Sequence, residues 1–291
     1  MKTVIHIGAD QGEIEYYEEI GCKNLTYVEP DKACLIKLKA NASKHFQREQ
    51  RSLQHLKIIP KACSSERGSK LKFYANGNGQ SSVQKPGPYT KAVIEKGNRN
   101  FQEYEVETTT LKEIYNESLK DSNQIDYLCI DTQGHEKSIL CPTPSEFLSE
   151  MFSIIDVELM TDQDMYEVDS NAWVETTMHL INSGFVPLIH PQGITESYIF
   201  LNSKHGKWIE NIAKPIADSV ARNLTKQLYK SYDAQASDHI CSHASILGNN
   251  SFLPLGITGG SINMTQIQSF REEFIKRASL ITPAQYELIT S

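Results

Sequence analysis

The chain has 291 residues, 39 % of them hydrophobic, with a formal net charge of −7. That length can bury one large α/β core with an appendage, or two smaller cores. The acidic balance argues against a duplex nucleic acid as partner, since such binders carry a basic face. The six cysteines (Cys22, Cys34, Cys63, Cys129, Cys141 and Cys241) are scattered without a Cys-x-x-Cys pair, which reads as reduced thiols of a cytoplasmic protein. Met1-Lys2-Thr3 leads into an apolar run too short for a signal-peptide core, and no apolar run approaches the ~20 residues of a membrane helix.

In chain order, Thr3-Val-Ile-His-Ile (3–7) predicts a strand ended by Gly8, and 13–20 a helix stopped by Gly21. A second strand is predicted over 25–29 and a helix over 32–43, with Leu35, Leu38 and Ala42 on one face. Residues 56–60 read as a third strand. From 64 to 104 the composition of Gly, Ser, Asn and Lys reads as one long irregular loop, a length usually reserved for function. Then come a strand (105–110), a helix (111–119), and strands over 126–130 and 153–159. A helix over 171–183 and two close strands, 185–190 and 197–202, complete the pattern. Alternating strand and helix predicts a doubly wound, mostly parallel sheet. The last two strands lie too close for a helical crossover, so they should form an antiparallel edge hairpin. These features assign 1–204 to one domain. Residues 205–291 read as a mainly helical C-terminal extension, a candidate dimer contact. Within it, Asp238-His-Ile-Cys-Ser-His243 has metal-ligand types at close spacing but no partner cluster.

In open α/β sheets, ligands lie beyond the carboxyl ends of the strands. The first such exit is Gly8-Ala-Asp-Gln-Gly12. A dinucleotide fingerprint needs Gly-x-Gly-x-x-Gly, and its second glycine is Asp10 here. A carboxylate at that point repels a pyrophosphate and suits a cation. The sulfonium and ammonium groups of S-adenosylmethionine fit, and that cofactor carries no phosphate. The second strand ends in Glu29, 21 residues after Gly8, where an acid accepts hydrogen bonds from ribose hydroxyls. A later strand delivers Asp131 to the same edge, followed by Thr-Gln-Gly-His-Glu136, and the next delivers Glu158 with Asp156 on its face. Glu136 sits where a carboxylate also suits a helix start. Methyl transfer to a hydroxyl or amide is helped by a base. Asp131 is the first candidate, His135 the alternative, and Glu158 a group that could fix the cofactor or the substrate. The carboxylates Asp131, Glu136 and Glu158 also suit Mg²⁺, although a metal is not favoured.

The blocks Ile7-Gly-Ala-Asp-Gln-Gly12, Val28-Glu-Pro-Asp31, Thr109-Thr-Leu111, Ile125-Asp-Tyr-Leu-Cys-Ile-Asp-Thr-Gln-Gly-His-Glu136 and Ile154-Ile-Asp-Val-Glu158 carry a resemblance. Over about residues 3–202 the chain resembles the FkbM-type S-adenosylmethionine-dependent methyltransferases. The resemblance implies a class I, Rossmann-like methyltransferase fold. It places Gly8, Asp10 and Gly12 along the methionine half of the cofactor and Glu29 on the ribose. The segment Lys61-Ala-Cys-Ser64, with Ala62 and Cys63, then lies near the adenine, with His6, Pro30 and Asp131 completing the cofactor set. Gln80, Ser81 and Ser82 would approach the substrate with Gln133 and Glu136. The chain departs from the family pattern at Cys129, usually Lys, and at Gln133, usually Glu. The expected product is S-adenosylhomocysteine, and the expected partner a small-molecule or peptide-linked substrate with neither nucleic acid nor membrane. O-methylation of a sugar or secondary metabolite leads. N-methylation of a peptide amide, with 64–104 as the groove, and a non-catalytic binding protein on the same fold remain open. An NAD-linked dehydrogenase would need the glycine fingerprint that is missing.

Overall fold

A computed structural model describes residues 3–48, 53–77, 79–97, 99–118, 125–160, 164–187, 195–202 and 204. The expected helical extension, 205–291, and the 238–243 cluster lie outside the described residues.

The elements alternate as the hydrophobic pattern requires. β1 (Thr3–Ile7) leads to α1 (Ile14–Glu19), β2 (Asn24–Val28) to α2 (Lys32–Phe46), and then come β3 (His55–Ile59) and β4 (Ala62–Cys63). β5 (Lys70–Ala75), α3 (Pro88–Lys96), β6 (Gln102–Thr109) and α4 (Leu111–Glu117) follow. The chain continues through β7 (Ile125–Ile130), α5 (Glu136–Leu140), α6 (Ser145–Met151) and β8 (Phe152–Met160). α7 (Ala172–Asn182), β9 (Phe185–Pro187) and β10 (Thr195–Asn202) end it.

Among the described residues, the main sheet runs β3-β2-β1-β7-β8-β10-β9. The pairs from β3 to β8 are parallel, and β10 is antiparallel to both β8 and β9. The expected edge hairpin is present, with its second strand inserted between the first and the rest of the sheet. The order reverses direction at β1, between β2 and β7, and this switch point is where such sheets bind ligands. β1 and β2 are buried at every position, which matches central parallel strands covered on both faces. Alternation splits β7 and β8 by face. Leu128, Ile130, Ile155, Val157 and Leu159 enter a core with Ile114, Leu140, Leu148 and Leu180. Tyr127, Cys129, Ile154, Asp156 and Glu158 point the other way.

The 64–104 stretch departs from the expected loop. β5 and β6 pair antiparallel, Lys70 to Glu107 through Ala75 to Gln102, and β4 pairs with β6 to make a second, three-stranded sheet. Phe73, Ala75, Val106 and Ala62 form its own small core. The alternation in Lys70-Leu-Lys-Phe-Tyr-Ala75 is real, but its lysines face outward onto Glu105 and Glu103 and give the strand a loop-like composition. α3 also falls inside the stretch. α6, absent from the sequence reading, is a seven-residue helix whose buried side includes Leu148 and Ser149.

Candidate active site

The cleft opens at the carboxyl ends of β1, β2 and β7. Its lining includes Gly8, Asp10, Glu29, Pro30, Ala62, Cys63, Ser81, Asp131 and His135, around an open volume of about 490 Å³.

Gly8 is set by close approach. Its φ is +82°, and a Cβ there would sit 1.6 Å from the carbonyl oxygen of Asp131. Any side chain would therefore push β1 and β7 apart. Gly12, at φ +77°, faces Leu38 and Tyr27 rather than the cleft, so it seats the turn on α2. Asp10 adopts φ +45°, uncommon for a residue with a side chain. Its Oδ1 is buried without a hydrogen-bond partner.

Glu29 is 5 % exposed. Its two oxygens accept from the backbone N–H groups of Asp10 (2.8 Å) and Asp31 (2.6 Å), which ties the β1 turn to the β2 exit. Burial pushes its carboxyl up to about 8, and the two N–H bonds oppose that shift. Asp31 caps α2 through the N–H groups of Ala33 and Cys34. Its other oxygen accepts from Gly77 N–H (3.2 Å) and Ser81 Oγ (2.5 Å). The Val-Glu-Pro-Asp block thus anchors the 76–81 segment and brings Ser81 to the cleft. Ser82 Oγ turns instead to the carbonyls of Thr132 and Gln133, at 3.1 and 2.9 Å. Gln80 lies outside the lining, with its carbonyl taking the Tyr166 hydroxyl at 2.8 Å.

At the β7 exit, Asp131 faces the cleft. Gln133, at φ +56°, donates from Nε2 to Asp131 Oδ1 (2.6 Å) and Glu158 Oε2 (2.7 Å). Glu136 turns its carboxylate inward. Oε1 accepts from Thr132 N–H, Thr132 Oγ1 and Gly134 N–H, so this side chain braces the turn. Burial pushes it up to about 7, opposed by those bonds. His135 lines the cleft with both nitrogens engaged, Nδ1 by Gln84 Nε2 (3.1 Å) and Nε2 by Ser64 Oγ (3.0 Å). An amide nitrogen only donates, so Nδ1 accepts and Nε2 carries the hydrogen. Burial lowers His135 to about 4, which keeps the ring neutral. His6 lies below the site. Its Nδ1 meets the Tyr17 hydroxyl at 2.9 Å and its ring packs on Tyr17 and Tyr27. Asp156 is buried and takes the Tyr127 hydroxyl, while Glu158 stands nearer the strand end.

Sequence reasoning missed Phe73 and Thr132 in the lining, and the partnership of Ser64 and Gln84 with His135. Among the described residues, no group of three or more His, Cys, Asp and Glu side chains is arranged to hold a metal. Asp131 and Glu158 are joined through Gln133, and Glu136 is committed to its own turn. No helix among the described residues is long and apolar enough to cross a membrane.

A family model described as Methyltransferase FkbM domain matches residues 6–180. The chain belongs to the FkbM methyltransferase family. That match takes in the glycine turn, Glu29, the 64–104 stretch, Asp131 and Glu158. Among solved structures, the chain is similar to the methyltransferase FkbM from Methylobacillus flagellatus KT, at 12 % identity and a TM-score of 0.42. The match covers 69 % of this chain and 44 % of that one, so the chain spans less than half of that relative's length. TrmK of M. capricolum, solved with S-adenosyl-homocysteine, matches at 12 % identity and a TM-score of 0.36, over 94 % of this chain and 92 % of that one. A protein of the NADB-Rossmann superfamily from Streptococcus agalactiae matches at 10 % identity and a TM-score of 0.34, over 94 % and 90 %. A comparison with curated proteins finds no match.

Proposed function

We propose that this FkbM-family chain transfers the methyl group of S-adenosylmethionine to a hydroxyl oxygen of a sugar or secondary metabolite. The observation that carries the cofactor is the pairing of two acidic groups in one cleft: Glu29, oriented by two backbone N–H bonds, and Asp10, whose buried Oδ1 has no partner. A buried acceptor without a donor is costly until a ligand supplies one. Glu29 keeps free lone pairs for ribose hydroxyls, and Asp10 offers an acceptor for the cofactor's ammonium group. Gly8, Pro30, Ala62 and Cys63 supply the remaining wall.

When bound, S-adenosylmethionine supplies an electrophilic methyl group on a sulfonium. The chain's residues hold the substrate oxygen in line with it, which can contribute several kcal/mol. Asp131, at the β7 exit, would accept the proton of the substrate hydroxyl. His135 is neutral and engaged at both nitrogens, so it orients the wall while Asp131 serves as base. Ser81 borders the same space and Glu158 supports Asp131 through Gln133.

Calorimetric titration with S-adenosylmethionine tests this reading. Wild type should bind at micromolar levels, and Glu29→Ala and Asp10→Ala should each bind at least roughly tenfold more weakly, about 1.4 kcal/mol. Wild type that binds neither S-adenosylmethionine nor its product overturns it.

A further inference from the structure

A second cavity lies on the far side of the wall that His135 forms. The first cleft is lined by His135 and not by Ser64, the second by Ser64 and not by His135, and the two side chains meet at 3.0 Å. The second cavity has an open volume of about 610 Å³ and is bounded by the β4 exit, the start of α4 and the α5–α6 turn with Phe147. Methyl transfer in the first cleft makes no use of it.

The direction of the hydrogen bonds in the wall leaves one donor over. Gln84 Nε2 donates to His135 Nδ1, so the hydrogen on His135 Nε2 goes to Ser64 Oγ. The Ser64 hydroxyl accepts there and keeps its own hydrogen. Ser64 is 8 % exposed, and no acceptor among the described residues takes that hydrogen. Leaving a buried donor unmet is unfavourable, and a bound acceptor removes the penalty. Two further donors stand on the same cavity. Ser65 and Lys112 are exposed, and neither side chain is hydrogen-bonded or ion-paired among the described residues. The lining carries no carboxylate. Glu113, next to Lys112 in the chain, is already taken by Arg67 at 2.9 Å and by Thr109 Oγ1 at 3.0 Å. The remaining wall is largely apolar. Leu111 and Ile139 show it their few exposed atoms, and the Phe147 ring is held edge-on against Tyr115.

We propose that this cavity is a second ligand site, which takes a small molecule with an apolar body and one carboxylate, and that its occupant is linked to the first cleft through Ser64 and His135. The carboxylate accepts from Ser64, Ser65 and Lys112, and the body packs on Leu111, Ile139 and Phe147. Three donors, one of them charged, match the two oxygens and single charge of a carboxylate. A phosphate brings a second charge without a second cation to meet it. Once Ser64 donates to a carboxylate, its oxygen becomes a better acceptor and tightens the bond from His135 Nε2. That ring is part of the wall of the first cleft. The site stands on these residues alone and does not depend on the methyltransferase reading.

The full chain is titrated by saturation-transfer NMR with three probes: 3-phenylpropionate, its neutral amide, and 2-phenylethyl phosphate. The carboxylate should bind at least about tenfold more tightly than the amide, and more tightly than the phosphate. Ser64→Ala should weaken the carboxylate at least about tenfold, Lys112→Gln about threefold, and Ser65→Trp, which fills the mouth from an exposed position, should abolish binding. In wild type the His135 Nε2 proton resonance, identified by its loss in His135→Gln, should move downfield when 3-phenylpropionate is added. No binding, equal binding of the amide, tighter binding of the phosphate, or unchanged binding in Ser65→Trp overturns the site. Binding that leaves the His135 resonance in place, or a His135 ring protonated at Nδ1 instead, overturns the link. If Ser64→Ala does not fold, Ser65→Trp and Lys112→Gln decide. Failure of the chain to bind S-adenosylmethionine overturns the cofactor reading and leaves each of these outcomes to be read as before.

Discussion

At the scale of single residues, the site is governed by backbone geometry as much as by side-chain chemistry. Gly8 shows this most sharply, because the Asp131 carbonyl occupies the space a Cβ would need. Gly8→Ala should therefore destabilise the fold by at least about 3 kcal/mol, seen as a lower denaturant midpoint. Asp131 is the side chain whose removal should affect chemistry and leave binding intact. Asp131→Asn keeps an oxygen for Gln133 Nε2 and removes the proposed proton acceptor. Its turnover, followed as S-adenosylhomocysteine release, should fall about 10²-fold or more, while S-adenosylmethionine affinity holds. Asp156 makes a prediction with a definite sign. Burial pushes its carboxyl up to about 7 in the folded chain, above its ordinary range near 4. The folded state then binds a proton that the unfolded chain releases between those values. This contribution is fully present below pH ~4 and is lost as pH rises through about 7. Asp156→Asn, which does not titrate, should gain stability relative to wild type between pH 4 and 8, by up to roughly 1.4 kcal/mol per pKa unit. Urea midpoints at the two pH values measure it.

At the scale of elements, local sequence signals worked where the element was self-contained. Thr110 and Glu113 form a capping box at the start of α4, and the short Thr109-Thr-Leu111 lead was legible because capping depends on a few adjacent residues. Thr110→Ala should cost about 1 kcal/mol, read as a shift in thermal midpoint with S-adenosylmethionine affinity unchanged. β5 was not legible for the opposite reason. Its lysines are neutralised by glutamates some thirty residues later on β6, so its strand character appears only once the partner strand is known. The 76–84 segment is similar. Its serines were read as substrate groups, and the structure divides them: Ser81 lines the cleft and bonds Asp31, while Ser82 braces the β7 turn. Neither arrangement is encoded by neighbours in the chain.

At the scale of the whole molecule, the sheet order brings distant acids into one place. Asp10, Glu29 and Asp131 converge because the order reverses at β1, and Glu158 joins through β8. The sequence by itself determined the alternating elements, the parallel sheet with its edge hairpin, and the acids at the strand exits, because hydrophobic period and glycine stops are local properties. It also carried the family blocks. Only the tertiary structure decided what each site residue faces. Glu136, His135 and Gln133 lie within four positions of one another, yet one braces a turn, one is held neutral by two side chains, and one joins two carboxylates. Those differences arise from positive φ values at Gln133 and Gly134 and from partners 25 to 71 positions away. Side-chain direction after a tight turn depends on φ and on packing across strands, neither of which is a property of the local sequence.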